Sequence, residues 1–242
     1  MYVEDHPGRE PATVWLHHGV GSTRAWDAFV PAAAGGRRAI AYDRRGFGRS
    51  AHGRRISTAM FDEDVEELRR MLAERGAAPA HLIGHSDGGT VALLLAARAP
   101  ELVLSIGVVA VHVRGDDVTV ATLRRMGPPH AWPEPMQRSL QRAHGEDWAD
   151  VAHRWHALWT SPGWERWSIV DELTAVRCPV FVMHGRGDDL SPPLHAEAIH
   201  DALPGARVTW VDTPTHDPHR AEPDRFISEL QALWLDVEGG YG

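Results

Sequence analysis

The stretch His81-Leu82-Ile83-Gly84-His85-Ser86-Asp87-Gly88-Gly89-Thr90-Val91-Ala92-Leu93-Leu94-Leu95 decides the fold. An apolar run of strand character enters Gly84-His85-Ser86-Asp87-Gly88, and a nearly all-apolar run of helical character leaves it and stops at Pro100. G-x-S-x-G between a strand and a helix is the pattern that presents a serine on a sharp turn. Such a turn strains the backbone, so close neighbours must lack side chains, and Gly84 and Gly88 supply that room. The turn lifts the Ser86 hydroxyl above the edge of a sheet and aims a helix N-terminus at it.

Outward from this turn, the chain alternates strand-like and helical patterns. Strands are expected at residues 13–17, 38–42, 81–84, 102–110, 180–184 and 207–211, with helices at 61–72, 88–98, 194–203 and 225–235. This alternation predicts an α/β protein, a mostly parallel sheet covered by helices. A reduced first strand around Tyr2-Val3-Glu4 would bring the sheet to six or seven strands. Residues 113–170 break the rhythm: they read as helical with no strand between, and they hold Trp132, Trp148, Trp155, Trp159, Trp164 and Trp167, six of the ten tryptophans. Amphipathic aromatics on a helical insertion suit a lid over a pocket; the alternative is that they only pack the insertion onto the sheet. Trp155 and Trp159 are taken as substrate-binding candidates. The chain thus divides into core residues 1–112, a lid at 113–170 and core residues 171–242, and the tail from Glu238 to Gly242 is expected to fray.

Composition narrows the partners. The 242 residues are 43% hydrophobic and carry a net charge of −8, so a sizeable core is available while nucleic acid and anionic membrane are poor partners. All 25 basic residues are arginine. A single cysteine, Cys178, excludes an intrachain disulfide. With neither a secretory signal pattern nor an apolar run of membrane-spanning length, a cytoplasmic protein acting on a small molecule is the expectation. Nothing in the pattern assigns an oligomeric state.

A serine hydroxyl needs a base to take its proton, and the base needs an orienting acid. The strand ending at Val211 is followed by Thr213-Pro214-Thr215-His216-Asp217-Pro218-His219, and the preceding one by Gly185-Arg186-Gly187-Asp188-Asp189-Leu190-Ser191-Pro192. Serine, aspartate and histidine thus appear in the order this architecture requires, with Asp188 or Asp189 as acid and His216 or His219 as base.

Here the chain resembles the α/β-hydrolase superfamily over almost its whole length. His18-Gly19 matches the family's pair after the first core strand, and Asp43-Arg44-Arg45-Gly46-Phe47-Gly48-Arg49-Ser50 matches its D-x-R-G-x-G-x-S run. Gly185, Asp188 and Pro192 fit the family spacing around the acid, and His216 with Pro223 fits that around the base. The resemblance therefore implies a Ser86, Asp188, His216 triad and a cofactor-free serine hydrolase forming an acyl-enzyme. The oxyanion would be held by the amides of Asp87 and Val20. An ester is the expected substrate. C–C bond hydrolases, lactonases, thioesterases and perhydrolases use the same triad, and a non-catalytic ligand-binding relative is the alternative from another class. The Ser-Asp-Gly-Gly run is similar to a subgroup, the valacyclovir hydrolase-like esterases, whose substrates are amino-acid esters.

Asp87 departs from the apolar residue common at its position. Its charge suits a helix start; the sharper reading is a carboxylate that recognises a substrate ammonium. The pairs His195/His200 and His216/His219 lack the surroundings of a metal site, and no metal is expected.

Overall fold

The computed structural model describes residues 1–50 and 56–240. Seven strands form one sheet: β1 (Val3–His6), β2 (Arg9–Leu16), β3 (Arg37–Tyr42), β4 (Ala80–His85), β5 (Val103–Val109), β6 (Val180–Gly185) and β7 (Arg207–Val211). Their order is β1-β3-β2-β4-β5-β6-β7. β2 to β7 pair in parallel, and β1 alone runs antiparallel, on the outside of β3. The reduced first strand is therefore an edge strand beside β3 and not half of a hairpin with β2.

The apolar strands are buried on both faces, as a parallel sheet requires. Alternate residues serve opposite layers. Val14, Leu16, Leu82, Ile106 and Val182 face one core cluster; Trp15, Ile83, Val109, Phe181 and Met183 face the other. The first layer holds α1 (Met60–Glu74) and α2 (Asp87–Arg98), the second α7 (Pro223–Gly239). α1 buries Phe61, Val65, Leu68 and Leu72 at helical spacing and carries Asp62 and Glu63 in its first turn, where the helix dipole favours acid. α2 is buried from Asp87 to Ala96, as its apolar composition predicts.

Two boundaries extend beyond the sequence pattern. β2 starts at Arg9 because Arg9 pairs with Arg37, across a register shift before Thr13 that hides the alternation. α7 continues to Gly239 because Glu238 is tied to the sheet by Arg37 at 2.8 Å and Arg9 at 3.2 Å. Fraying from Glu238 onward is thus corrected for Glu238 and Gly239; Tyr241 and Gly242 lie outside the described residues.

Between β5 and β6 the chain forms α3 (Asp117–Met126), α4 (Glu134–His144) and α5 (Trp148–Trp159), with no named strand among the described residues. An antiparallel bridge between Arg114 and Ser168 closes this segment at its base. α6 (Leu194–Ala202) follows β6. Strand order reverses around β2, and in open α/β sheets the cleft at the carboxyl ends beside such a reversal is where ligands bind.

Candidate active site

Five loops leave the carboxyl ends of β2, β4, β5, β6 and β7, and their residues meet in one cavity of about 140 Å³. β4 delivers Ser86. Its backbone has φ 53° and ψ −122°, a left-handed-side conformation costly for a residue with a Cβ. A hydrogen bond from the Ser86 amide to the Val109 carbonyl (2.8 Å) holds the turn against β5. A Cβ on Gly84 would stand 2.5 Å from the backbone of Gly88 and Gly89, and one on Gly88 would stand 2.6 Å from the His17 carbonyl oxygen. Both positions therefore exclude any larger residue.

The loops after β6 and β7 supply a hydrogen-bonded acid and base. His216 Nδ1 lies 2.8 Å from Asp188 Oδ2. The other Asp188 oxygen accepts from the Leu190 and Ser191 amides, each at 3.0 Å, which fixes the carboxylate plane. Burial opposes ionisation of Asp188, but the charge and hydrogen bond of His216 hold its carboxyl below the usual range. Burial likewise disfavours protonated His216, yet Asp188 outweighs it and raises the imidazole above its ordinary value. The neighbours take other places. Asp189 accepts from Arg125 (2.7 Å) and Thr122 (3.2 Å) on α3. His219 is buried against Trp26, Phe29 and Phe226.

Histidines brace the surrounding loops. His85 Nε2 donates to the His216 carbonyl (2.9 Å). His17 donates from Nδ1 to the His18 carbonyl (2.7 Å) and accepts the Arg44 amide at Nε2 (3.0 Å). From α4, His144 donates from Nε2 to the Val20 carbonyl (2.8 Å) and accepts the Gly48 amide at Nδ1 (2.9 Å). Val20 lines the cavity, and the Asp87 amide stands at the first position of α2, where no intrahelical acceptor is available.

The Asp87 carboxylate is fully buried and is not part of the cavity wall. It accepts from the Trp155 indole N–H (3.2 Å) and stands 3.7 Å from Arg44, which also binds Asp64 at 2.8 Å. Burial raises its carboxyl, with Arg44 and Trp155 pulling the other way. This placement agrees with a buried helix-start charge that anchors α5, and gives the ammonium-recognition reading no direct access to the cavity. Trp155 and Trp159 both line the cavity with Leu123 and Met126. Trp164 and Trp167 instead stack on each other (4.8 Å between centroids), and Trp132 donates to the Gly127 carbonyl.

One site residue escaped the sequence reading. His112, just past β5, lies in the cavity wall with Nδ1 3.4 Å from Ser86 Oγ. Its signal was positional: β5 neighbours β4 and ends on the same edge of the sheet. Among the described residues, one group of side chains, His85, Asp217 and His219, brings potential metal-ligating atoms within 4.8 Å of one another. The cavity adjoins a more polar recess of about 620 Å³ that also includes Arg24, Arg142 and Arg220. No helix among the described residues is long and apolar enough to cross a membrane.

Comparison with known proteins agrees with this fold. Residues 12–146 match the alpha/beta hydrolase fold family. The chain is 27% identical over 264 aligned residues to the candidate carbamate hydrolase RutD of Azorhizobium caulinodans, covering 98% of this chain and 96% of that protein. It is 25% identical over 196 residues to the human serine hydrolase BPHL, covering 77% of this chain and 66% of that protein. Among solved structures, a bromoperoxidase from Bacillus anthracis superposes with a TM-score of 0.77 at 20% identity, covering 96% of this chain and 94% of that one. With the family match spanning more than half of its length, the chain belongs to the α/β-hydrolase fold family.

Proposed function

We propose that the protein is a serine hydrolase that cleaves an ester or related acyl bond of a small molecule through an acyl-enzyme. The observation that carries this reading is the convergence, in one cavity, of Ser86 on a strained turn with His216 oriented by Asp188. His216 engages Asp188 through Nδ1, so Nε2 is left for Ser86. The Ser86 hydroxyl faces His112 in this structure, and the reaction requires it to turn to that nitrogen. His216 then takes the proton as Ser86 attacks the acyl carbon, and Asp188 stabilises the imidazolium. The amides of Asp87 and Val20 hold the oxyanion. His216 returns the proton to the leaving group, and water releases the acyl group by the reverse sequence. No cofactor enters this cycle.

The residues between β5 and β6 act as a lid. α3 and α5 place Leu123, Met126, Trp155 and Trp159 around an apolar end suited to a small acyl group. Because the chain is similar to a candidate carbamate hydrolase and to a pimeloyl-[acyl-carrier protein] methyl ester esterase of Nitrosomonas europaea, carbamates and methyl esters join simple esters among the bonds to try. Turnover of a panel of p-nitrophenyl esters, amino-acid esters, carbamates, lactones and thioesters tests the reading. Cleavage of at least one class by the wild type and its loss in Ser86→Ala is expected; cleavage undiminished in that variant would overturn it.

A further inference from the structure

His112 has a fixed tautomer. Its Nε2 stands 2.7 Å from the Leu190 carbonyl oxygen, which can only accept, so the proton is on Nε2. Nδ1 is therefore a bare acceptor, and the Ser86 hydroxyl is the donor that reaches it at 3.4 Å. The ring cannot turn to exchange its nitrogens without losing that carbonyl. It is clamped by Trp159 at 4.4 Å between centroids and by His195 at 5.0 Å, and its own carbonyl accepts from Thr90 (2.6 Å). Burial first, then His195 and His216, push its imidazole well below the ordinary value, so the ring stays neutral and Nδ1 stays bare.

This arrangement creates a demand during turnover. When the Ser86 hydroxyl swings to His216, Nδ1 of His112 loses its donor while remaining in the cavity wall, and a buried acceptor left alone is costly. The ring packs, tilted, against Trp159, at the apolar end where the acyl group sits. Its Nδ1 is close enough to the attacking oxygen that an atom bonded to the scissile carbonyl would lie beside it.

We propose that His112 Nδ1 is a substrate-recognition acceptor that selects acyl groups carrying an O–H or N–H donor on, or as, the atom next to the scissile carbonyl, such as 2-hydroxyacyl and carbamoyl groups. The inference rests on the serine-hydrolase reading and deepens it. A donor at that position replaces the Ser86 hydroxyl on Nδ1; an alkyl or ether group leaves Nδ1 unpaired.

Three phenyl esters test it: the lactate, the 2-methylpropanoate of equal size and the 2-methoxypropanoate, one carbon larger, with phenol release followed in wild type and in His112→Leu. The wild type should favour the lactate over both others in kcat/KM by about tenfold to a hundredfold, and the ratio should collapse towards one in His112→Leu. A wild type that turns over all three esters with no preference for the lactate overturns the proposal, whether or not the variant folds. A preference that persists undiminished in the variant overturns it as well. If none of the three is cleaved and Ser86 also resists a fluorophosphonate, the hydrolase reading itself fails and takes the inference with it. Labelling of Ser86 together with an absent lactate preference refutes the inference alone.

Discussion

Replacing Arg44 with methionine tests the electrostatic frame beneath the nucleophile. The Arg44, Asp64 and Asp87 side chains are all fully buried, with the guanidinium 2.8 Å from Asp64 and 3.7 Å from Asp87. Arg44 also donates to the His18 carbonyl (3.2 Å) and lies 4.7 Å from the centre of the Phe47 ring. Methionine keeps much of the stem but leaves the Asp87 carboxylate in a dry site with the Trp155 indole. Removing one partner of a buried pair costs about 3–5 kcal/mol, which for a domain of this size lowers Tm by about 6–20 °C. The pH dependence gives a sharper signature. Without Arg44 the Asp87 carboxyl, already raised, rises further and holds a proton in the folded state. A raised carboxyl contributes stability that is full below the unfolded value and lost as pH rises through the folded one, so the penalty should be larger at pH 8 than at pH 5.5. Urea unfolding of wild type, Arg44→Met, Asp87→Asn and the double variant at both pH values measures this. Asp87→Asn should recover part of the loss in the Arg44→Met background. A penalty below about 1 kcal/mol, the scale of an exposed pair, or one that ignores pH, would refute the reasoning.

Acid should unfold the protein early. His81, His85 and His184 are buried and have their imidazoles pushed down to about 4, chiefly by burial. Their contribution is intact above the ordinary value near 6.5 and drains away as pH falls towards 4, at a combined slope of about 4 kcal/mol per pH unit; denaturant melts at half-unit steps that stay flat across this window would contradict it. The acidic limb of kcat/KM should have its midpoint above pH 6.5, because His216 is raised and must be neutral to accept the proton. Asp188→Asn should cut kcat by about 10⁴ and move that limb to lower pH, as a full pH–rate profile would show. In Gly19→Ala the new methyl group would meet the Trp155 indole nitrogen and lie 2.7 Å from Asp87 Oδ2. That overpacking should cost about 1–3 kcal/mol, and a thermal melt unchanged from wild type would speak against the described packing.

Those parts of the site that sit at strand ends were legible, because there the spacing of glycines, acid and base is fixed by the sheet. Ser86 follows β4 directly, and the choice of Asp188 over Asp189 comes from the family resemblance, whose spacing fits Gly185, Asp188 and Pro192. The structure then places Asp188 against His216 and turns Asp189 towards α3. What stayed hidden depends on contacts between distant segments. His112 sits in Val111-His112-Val113, one histidine among sixteen with no motif around it, and only the juxtaposition of β4 and β5 sets it beside Ser86. The direction of the Asp87 carboxylate was equally unreadable, since Arg44 and Trp155, its partners, lie 43 residues before it and 68 after it. Of six tryptophans that pattern alone treats alike, only the folded chain shows that Trp155 and Trp159 line the cavity while Trp164 and Trp167 pack behind Trp159.

The nucleophile is tested most directly by covalent capture. Incubation of the native protein with a fluorophosphonate, followed by peptide mass spectrometry, should yield one adduct, on Ser86. Ser86→Ala should remain unlabelled, and Asp188→Asn should label more slowly. A folded wild-type protein that takes up no fluorophosphonate, or takes it up at another residue, would contradict the account.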